Sequence, residues 1–173
     1  MRGCSLGIGG LNIKGRSSEQ KERSFMKPIR RIMHPTDFSS ASRRALDTAV
    51  DFAKQNKAEL LLVHVLVPYI TYPVDGYSDP SLYVEVEGIT LRQAQASLEA
   101  LVAKVKKARV DVRGLVLKGT VHDQIIRAAR SRRADLIVIG THGRTGISKL
   151  FMGSVAGRVV SGASCPVLTV RGK

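Results

Sequence analysis

The stretch Asp135-Leu-Ile-Val-Ile139-Gly140-Thr-His-Gly143-Arg-Thr-Gly146-Ile-Ser-Lys149-Leu-Phe-Met-Gly153-Ser154 sets a short apolar run against a glycine-spaced loop and then a helix-forming segment. A brief apolar run bounded by glycine reads as a strand buried on both faces. Glycine lets backbone approach a ligand with no Cβ in the way. A helix beginning at Gly153 or Ser154 would aim unpaired N–H groups and the positive end of its dipole at an anion. The stretch matches neither G-x-x-x-x-G-K-[ST] nor G-x-G-x-x-G. The residues alone therefore indicate an anion or nucleotide cradle without saying which.

Outward from this stretch, short apolar runs alternate with segments of helical period, the pattern of βαβ units on a parallel sheet. The runs Arg30–His34, Glu59–Val67, Val112–Lys118, Asp135–Ile139 and Pro166–Val170 predict five strands. Ala45, Leu46, Ala49, Val50 and Ala53 share one helical face, with Ser39 and Ser40 as candidate N-caps. Leu91, Ala94, Leu98, Leu101 and Val105 predict a second helix, Val121–Arg130 a third and Ser154–Ser161 a fourth. The segment 68–88 shows no helical period and carries proline, glycine and tyrosine, so it reads as a long inserted loop, either a lid or partner arm or a self-packed excursion.

The first strand runs into Met33-His34-Pro35-Thr36-Asp37-Phe38-Ser39. In an open parallel sheet, ligands sit beyond the carboxyl ends of the strands where strand order reverses, which would bring Asp37 near Gly140 if the first and fourth strands are neighbours. Asp37 could then accept from ribose hydroxyls or an adenine amine, or help hold a metal. Alternatively it dresses a helix N-terminus.

Composition is that of a globular chain of about one domain: 173 residues, 43% hydrophobic and 24% charged. Collagen-like, rod-like and wholly disordered classes are excluded. Cys4 and Cys165 are too few for a disulfide framework, which favours a reducing, cytoplasmic setting, and Cys165 reads as a buried structural thiol. No run is long and apolar enough to span a bilayer, so no membrane partner is expected. Residues 1–25 lack the continuous apolar core of a secretory signal and read as a disordered extension ahead of a domain at 26–173.

The charge is unusual: 28 basic against 14 acidic residues, a formal +14. Only five of the basic residues fall in 1–25, so the body itself is basic. The densest cluster, Arg127, Arg130, Arg132 and Arg133, reads as one helix end whose cations complement the dipole. Aromatic residues make up only 5% of the chain and do not interleave with the basic ones, which disfavours nucleic acid as a partner without excluding it.

The two glycine- and proline-bearing runs together resemble the universal stress protein family. The first strand leads into Pro-x-Asp-x-Ser as Pro35, Asp37 and Ser39, and the second ends in His64-Val65. The spacing G-x2-G-x9-G-[ST] of the family's ATP-binding subgroup is reproduced by Gly140, Gly143, Gly153 and Ser154. The resemblance covers nearly all of Met26 to Arg171. It implies one doubly wound α/β domain, similar to the adenine nucleotide alpha hydrolase-like folds, with a five-stranded parallel sheet of order 3-2-1-4-5 and four helices.

By the same resemblance, Pro35, Asp37 and Val65 would line the adenine and ribose end of an ATP site, Ile139 and Gly140 would approach the ribose, and Gly143, Gly153, Ser154 and Val155 would hold the phosphates, with Mg2+ or Mn2+ as a companion ion. A homodimer through the edge strand Pro166–Val170 is also implied. The expected role is a nucleotide-dependent stress-response regulator. Two alternatives stand beside it: a slow ATP hydrolase or nucleotide-processing enzyme, and a basic interaction module for anionic partners. Asp37 is the one credible acid near the phosphates, which favours binding over turnover. His34, His64, His122 and His142 show no metal-ligand spacing, and Arg144 and Lys149 either screen phosphate from the rim or face solvent.

Overall fold

The computed structural model describes residues 28–68, 80–141 and 153–171, with side chains omitted at 80–83. Five strands and four helices alternate: β1 (Arg31–Pro35), α1 (Ser40–Asn56), β2 (Glu59–Leu66), α2 (Pro80–Lys107), β3 (Val112–Lys118), α3 (Val121–Ser131), β4 (Leu136–Gly140), α4 (Ser154–Gly162) and β5 (Val167–Val170). The strands form one sheet of order β3-β2-β1-β4-β5, every neighbouring pair parallel. This is the doubly wound order that the family resemblance implies, with the reversal between β1 and β4. The first and fourth strands sit one residue later than the apolar runs suggest.

Alternation along the strands builds two cores. Ile32, Leu60, Leu62 and Val138 face α1 and α2, where Ala45, Ala49 and Leu98 meet them. Met33, Leu61, Val63, Ile137 and Ile139 face α3 and α4, where Ile125, Ala128 and Val159 close the second layer. Small residues along α1 let that helix lie close over the sheet. Its start is fixed by Ser39, whose Oγ accepts from Ser42 N at 3.1 Å.

The segment 68–88 departs from its reading as a loop: α2 already begins at Pro80, so the loop reading fails from there on, while 69–79 lie outside the described residues. Proline suits a helix's first turn because its missing N–H has no intrahelical acceptor there. The helical period is hidden because α2 buries no apolar stripe from Val84 to Ile89: Val84, Val86 and Ile89 are 72%, 48% and 41% exposed. Packing begins at Ala94 and Leu98, and the helix propagates backward from it.

Candidate functional site

The strand order brings the two glycine- and proline-bearing runs together. β1 pairs with β4 over only two positions, Ile32↔Leu136 and Met33↔Ile137, whereas β1 stays paired with β2 through Pro35↔Val63. The ladder stops there for a covalent reason. Thr36 N donates to Val63 O at 2.8 Å, so even-numbered β1 residues address β2 and odd-numbered ones address β4. The next donor owed to Val138 O is the N–H of residue 35, and Pro35 has none. The two strands part at that point.

His34 fills the vacancy in the ladder. Fully buried, it donates from Nδ1 to Val138 O at 2.9 Å, and its Nε2 lies 3.4 Å from Ser42 Oγ. Ser42 Oγ in turn lies 3.0 Å from Thr36 Oγ1, which accepts from Phe38 N at 3.1 Å. Burial pushes the His34 pKa down to about 4, against the opposing effects of the Val138 bond and of Asp37 and Asp47. The ring is therefore neutral at pH 7 and carries its proton on Nδ1.

Beyond the parted strands the chain turns sharply. Asp37 Oδ1 accepts from Ser39 N at 3.0 Å, an Asx-type turn that leaves the capping of α1 to Ser39. Phe38 adopts φ 64°, an uncommon conformation for a bulky residue. Its ring lies against His64, centroids 4.5 Å apart, and His64 Nδ1 donates to Thr36 O at 2.8 Å. On the opposite wall, Gly153 N donates to Thr141 O at 2.7 Å, tying the start of α4 to the end of β4. As N-cap of α4, Gly153 brings no side-chain oxygen to the first turn.

These elements enclose a cavity of about 320 Å³. Of the residues singled out in the sequence, Pro35, Asp37, Val65, Ile139, Gly140, Gly153, Ser154 and Val155 all line it. Gly143 lies outside the described residues, as do His142, Arg144 and Lys149. Val63, Val65, Val121, Ile125 and Ile139 make an apolar floor, while Asp37, Thr36, Thr141 and the first turn of α4 bring polar groups to it. The N–H groups of Ser154, Val155 and Ala156 precede the first intrahelical bond, which runs from Gly157 N to Gly153 O at 2.9 Å.

The chain matches the universal stress protein family over residues 28–171. It belongs to that family. A universal stress protein of Methanocaldococcus jannaschii is 31% identical to it over 144 residues, 82% of either chain. Among solved structures, a universal stress protein in complex with cAMP superposes with a TM-score of 0.62 at 24% identity, over 83% of this chain and 98% of that one. A family protein of Arabidopsis thaliana with AMP bound superposes with a TM-score of 0.58 at 21% identity, over 83% and 92%. At these identities the likeness is one of fold.

Sequence reasoning missed several members of this family's cleft as it stands here. Val121 and Ile125 enter from α3 as an i, i+4 pair, a spacing that was visible, but their reach to β1 depends on strand order. Thr36 and Ser42 are buried polar residues whose use shows only once His34 is placed between them. Among the described residues no three His, Cys, Asp or Glu side chains gather to hold a metal ion. Burial pushes the Cys165 thiol up, with Asp135 adding to it, so little reactive thiolate forms there near neutral pH. No helix of the described residues is long and apolar enough to cross a membrane.

Proposed function

We propose that the cavity binds an adenine nucleotide, ATP foremost, and that the protein acts as a nucleotide-dependent regulator in the reducing cytoplasm. The observation that carries this reading is convergence: Gly140, Gly153 and Ser154, three of the four positions in G-x2-G-x9-G-[ST], meet Pro35 and Asp37 across one cleft. Two of the similar structures hold cAMP and AMP, which supports an adenine nucleotide as the ligand class.

The donor set fits such a ligand. The apolar floor of Val63, Val65 and Ile139 suits a base, and Asp37 can accept from ribose hydroxyls or an adenine amine. The first-turn N–H groups of α4 and the Ser154 hydroxyl suit phosphate oxygens, helped by the dipole of the helix. Asp37 is the one carboxylate lining the cleft among the described residues, so Mg2+ or Mn2+ would draw its ligands mainly from phosphate oxygens and water. The same scarcity of acids supports binding in preference to turnover, with slow hydrolysis as the competing reading. Edge strand β5 is proposed to pair with its twin in a homodimer.

Nucleotide released from freshly purified, denatured protein and resolved by chromatography tests the reading. The expected outcome is stoichiometric adenine nucleotide, with none from Gly153→Val, whose side chain obstructs close approach of phosphate. A parent protein that is empty and also fails to bind added ATP, ADP, AMP or cAMP would overturn it. Single-turnover assays of Asp37→Ala and Ser154→Ala separate binding from hydrolysis: turnover in the parent that either variant abolishes would make the protein an enzyme.

A further inference from the structure

We propose that the end of the molecule opposite the cleft is a second binding surface, built for the phosphate backbone of duplex nucleic acid. A parallel sheet puts every strand's N-terminus at one end, and the returning helices finish at that same end. In the sequence the arginines at 127–133 read as a single helix end; the fold makes that end one of three. Helix α1 finishes with Lys54 and Lys57, and α2 with Lys104, Lys106, Lys107 and Arg109. Helix α3 finishes with Arg130, Arg132 and Arg133. All nine of these residues are exposed.

Direct contacts join the strand starts across this face. Glu59, at the foot of β2, accepts from Arg31 Nε at 2.6 Å and pairs with Arg113 Nε at 2.9 Å, linking β1 to β3. The Arg31 guanidinium also donates to Arg132 O, linking β1 to the end of α3. Asp135 Oδ2 accepts from Arg30 N and Arg31 N, both at 2.9 Å. Of the acids at the strand starts, Glu59 and Asp135 are thus engaged within the protein and Asp111 is exposed, against nine exposed cations at the helix ends.

Dipole complementation favours cations in each last turn, and these three helix ends carry two, four and three. Backbone geometry adds an independent observation. Lys57, Arg109 and Arg133 adopt φ 53°, 60° and 54°, the left-handed conformation in which helices usually end on glycine. At three helix ends the chain has a basic side chain where glycine would be cheaper for the backbone. All three lie on this face.

The character of the face selects the partner. Arginine's planar fork matches phosphate oxygens. Helix C-termini present carbonyls, so the attraction resides in side chains and is independent of base sequence. Single strands are bound on aromatic platforms, and the nearest described aromatic, Phe52, packs against the core instead. An anionic bilayer is held by inserted apolar groups together with cations. Of the exposed large hydrophobics among the described residues, Val67, Val84, Val86 and Ile89 belong to the end of β2 and the first half of α2, at the cleft end, and Val160 in the last turn of α4 is the one at this end, too little to anchor a bilayer. What fits is a rigid, regular array of phosphates.

Fluorescence anisotropy of the full-length protein with a labelled mixed-sequence DNA duplex of about 20 base pairs, and its RNA counterpart, tests this over a salt series. Each phosphate contact contributes about −0.9 to the slope of log K against log salt. The triple variant K57G/R109G/R133G removes three cations and relaxes three left-handed residues, so it is expected to fold at least as stably as the parent. Its duplex affinity should fall at least tenfold near 50 mM salt, with a slope shallower by about 3. K104Q/K106Q/K107Q, altering exposed side chains only, should weaken binding in the same way.

Saturating ATP and Gly153→Val are expected to leave duplex binding unchanged. Absence of duplex binding at low salt, undiminished binding by both triple variants, or competition by ATP would each overturn the proposal. Tighter binding to phosphatidylserine vesicles than to either duplex would overturn it in favour of a membrane surface. A triple glycine variant that loses stability while keeping its duplex affinity would assign the cations to the helix dipoles instead.

Discussion

At the scale of the residue, His34 carries more than its place in a core strand suggests. Pro35 opens the sheet at the cleft by lacking a donor, and His34 restores that donor from its side chain while staying uncharged. Because its pKa is lowered from 6.5 to about 4 in the folded protein, the unfolded chain binds more protons between those values. Stability from this group is therefore fully present above pH 6.5 and is lost as pH falls toward 4, by about 3 kcal/mol at most. Denaturant unfolding at several pH values should show that loss, and His34→Gln, which cannot titrate, should flatten the part that belongs to this residue. A parent protein equally stable at pH 6.5 and pH 4.5, or a His34 ring that titrates near 6.5 by NMR, would refute the assignment. The sequence showed Pro35 and Asp37 as one rim of a site because proline and acid at a strand's end are local signs. The work of His34 depends on which strand lies beside it, and no local pattern carries that information.

At the scale of the element, α2 shows why helix beginnings are hard to read. Its packed half announces itself through Leu91, Ala94, Leu98, Leu101 and Val105, whereas the turn from Val84 to Ile89 buries no stripe and carries Gly88. The link between Lys118 Nζ and Glu87 Oε1, 2.5 Å apart, tethers this half to the end of β3, but both side chains are about half exposed and the pair is worth little. Gly88→Ala should therefore stabilise the protein by about 0.5–1 kcal/mol, since the added Cβ meets only the movable end of Arg92, at 3.3 Å. Gly114→Ala should do the reverse. Its Cβ would stand 3.0 Å from both Cγ and Cδ2 of the buried Leu98 and 3.2 Å from Val102, so α2 would have to lift from β3, at a cost of about 1–3 kcal/mol. Thermal unfolding of the two variants beside the parent checks both signs, and shifts in the same direction would refute this account of how α2 sits.

At the scale of the whole molecule, the proposed dimer rests on an edge whose polarity can be worked out residue by residue. Ile137 N donates to Pro166 O at 3.0 Å and Thr141 N to Val170 O at 2.9 Å, so the even-numbered residues of β5 are bonded to β4. The N–H and C=O groups of Val167 and Thr169 therefore point away from the sheet, along an edge that a second copy can pair with. Thr169→Pro removes one outward donor without touching the β4–β5 ladder, and a proline is tolerated at an edge when its nitrogen faces outward. The expected result is a monomer by sedimentation where the parent is a dimer, with adenine nucleotide still bound, because Thr169 does not line the cleft. A parent that sediments as a monomer, or a Thr169→Pro protein that remains dimeric, would remove β5 as the interface. Loss of nucleotide together with the dimer would instead mean that the cleft at Gly140, which pairs with Val170 at the end of β5, is completed by assembly.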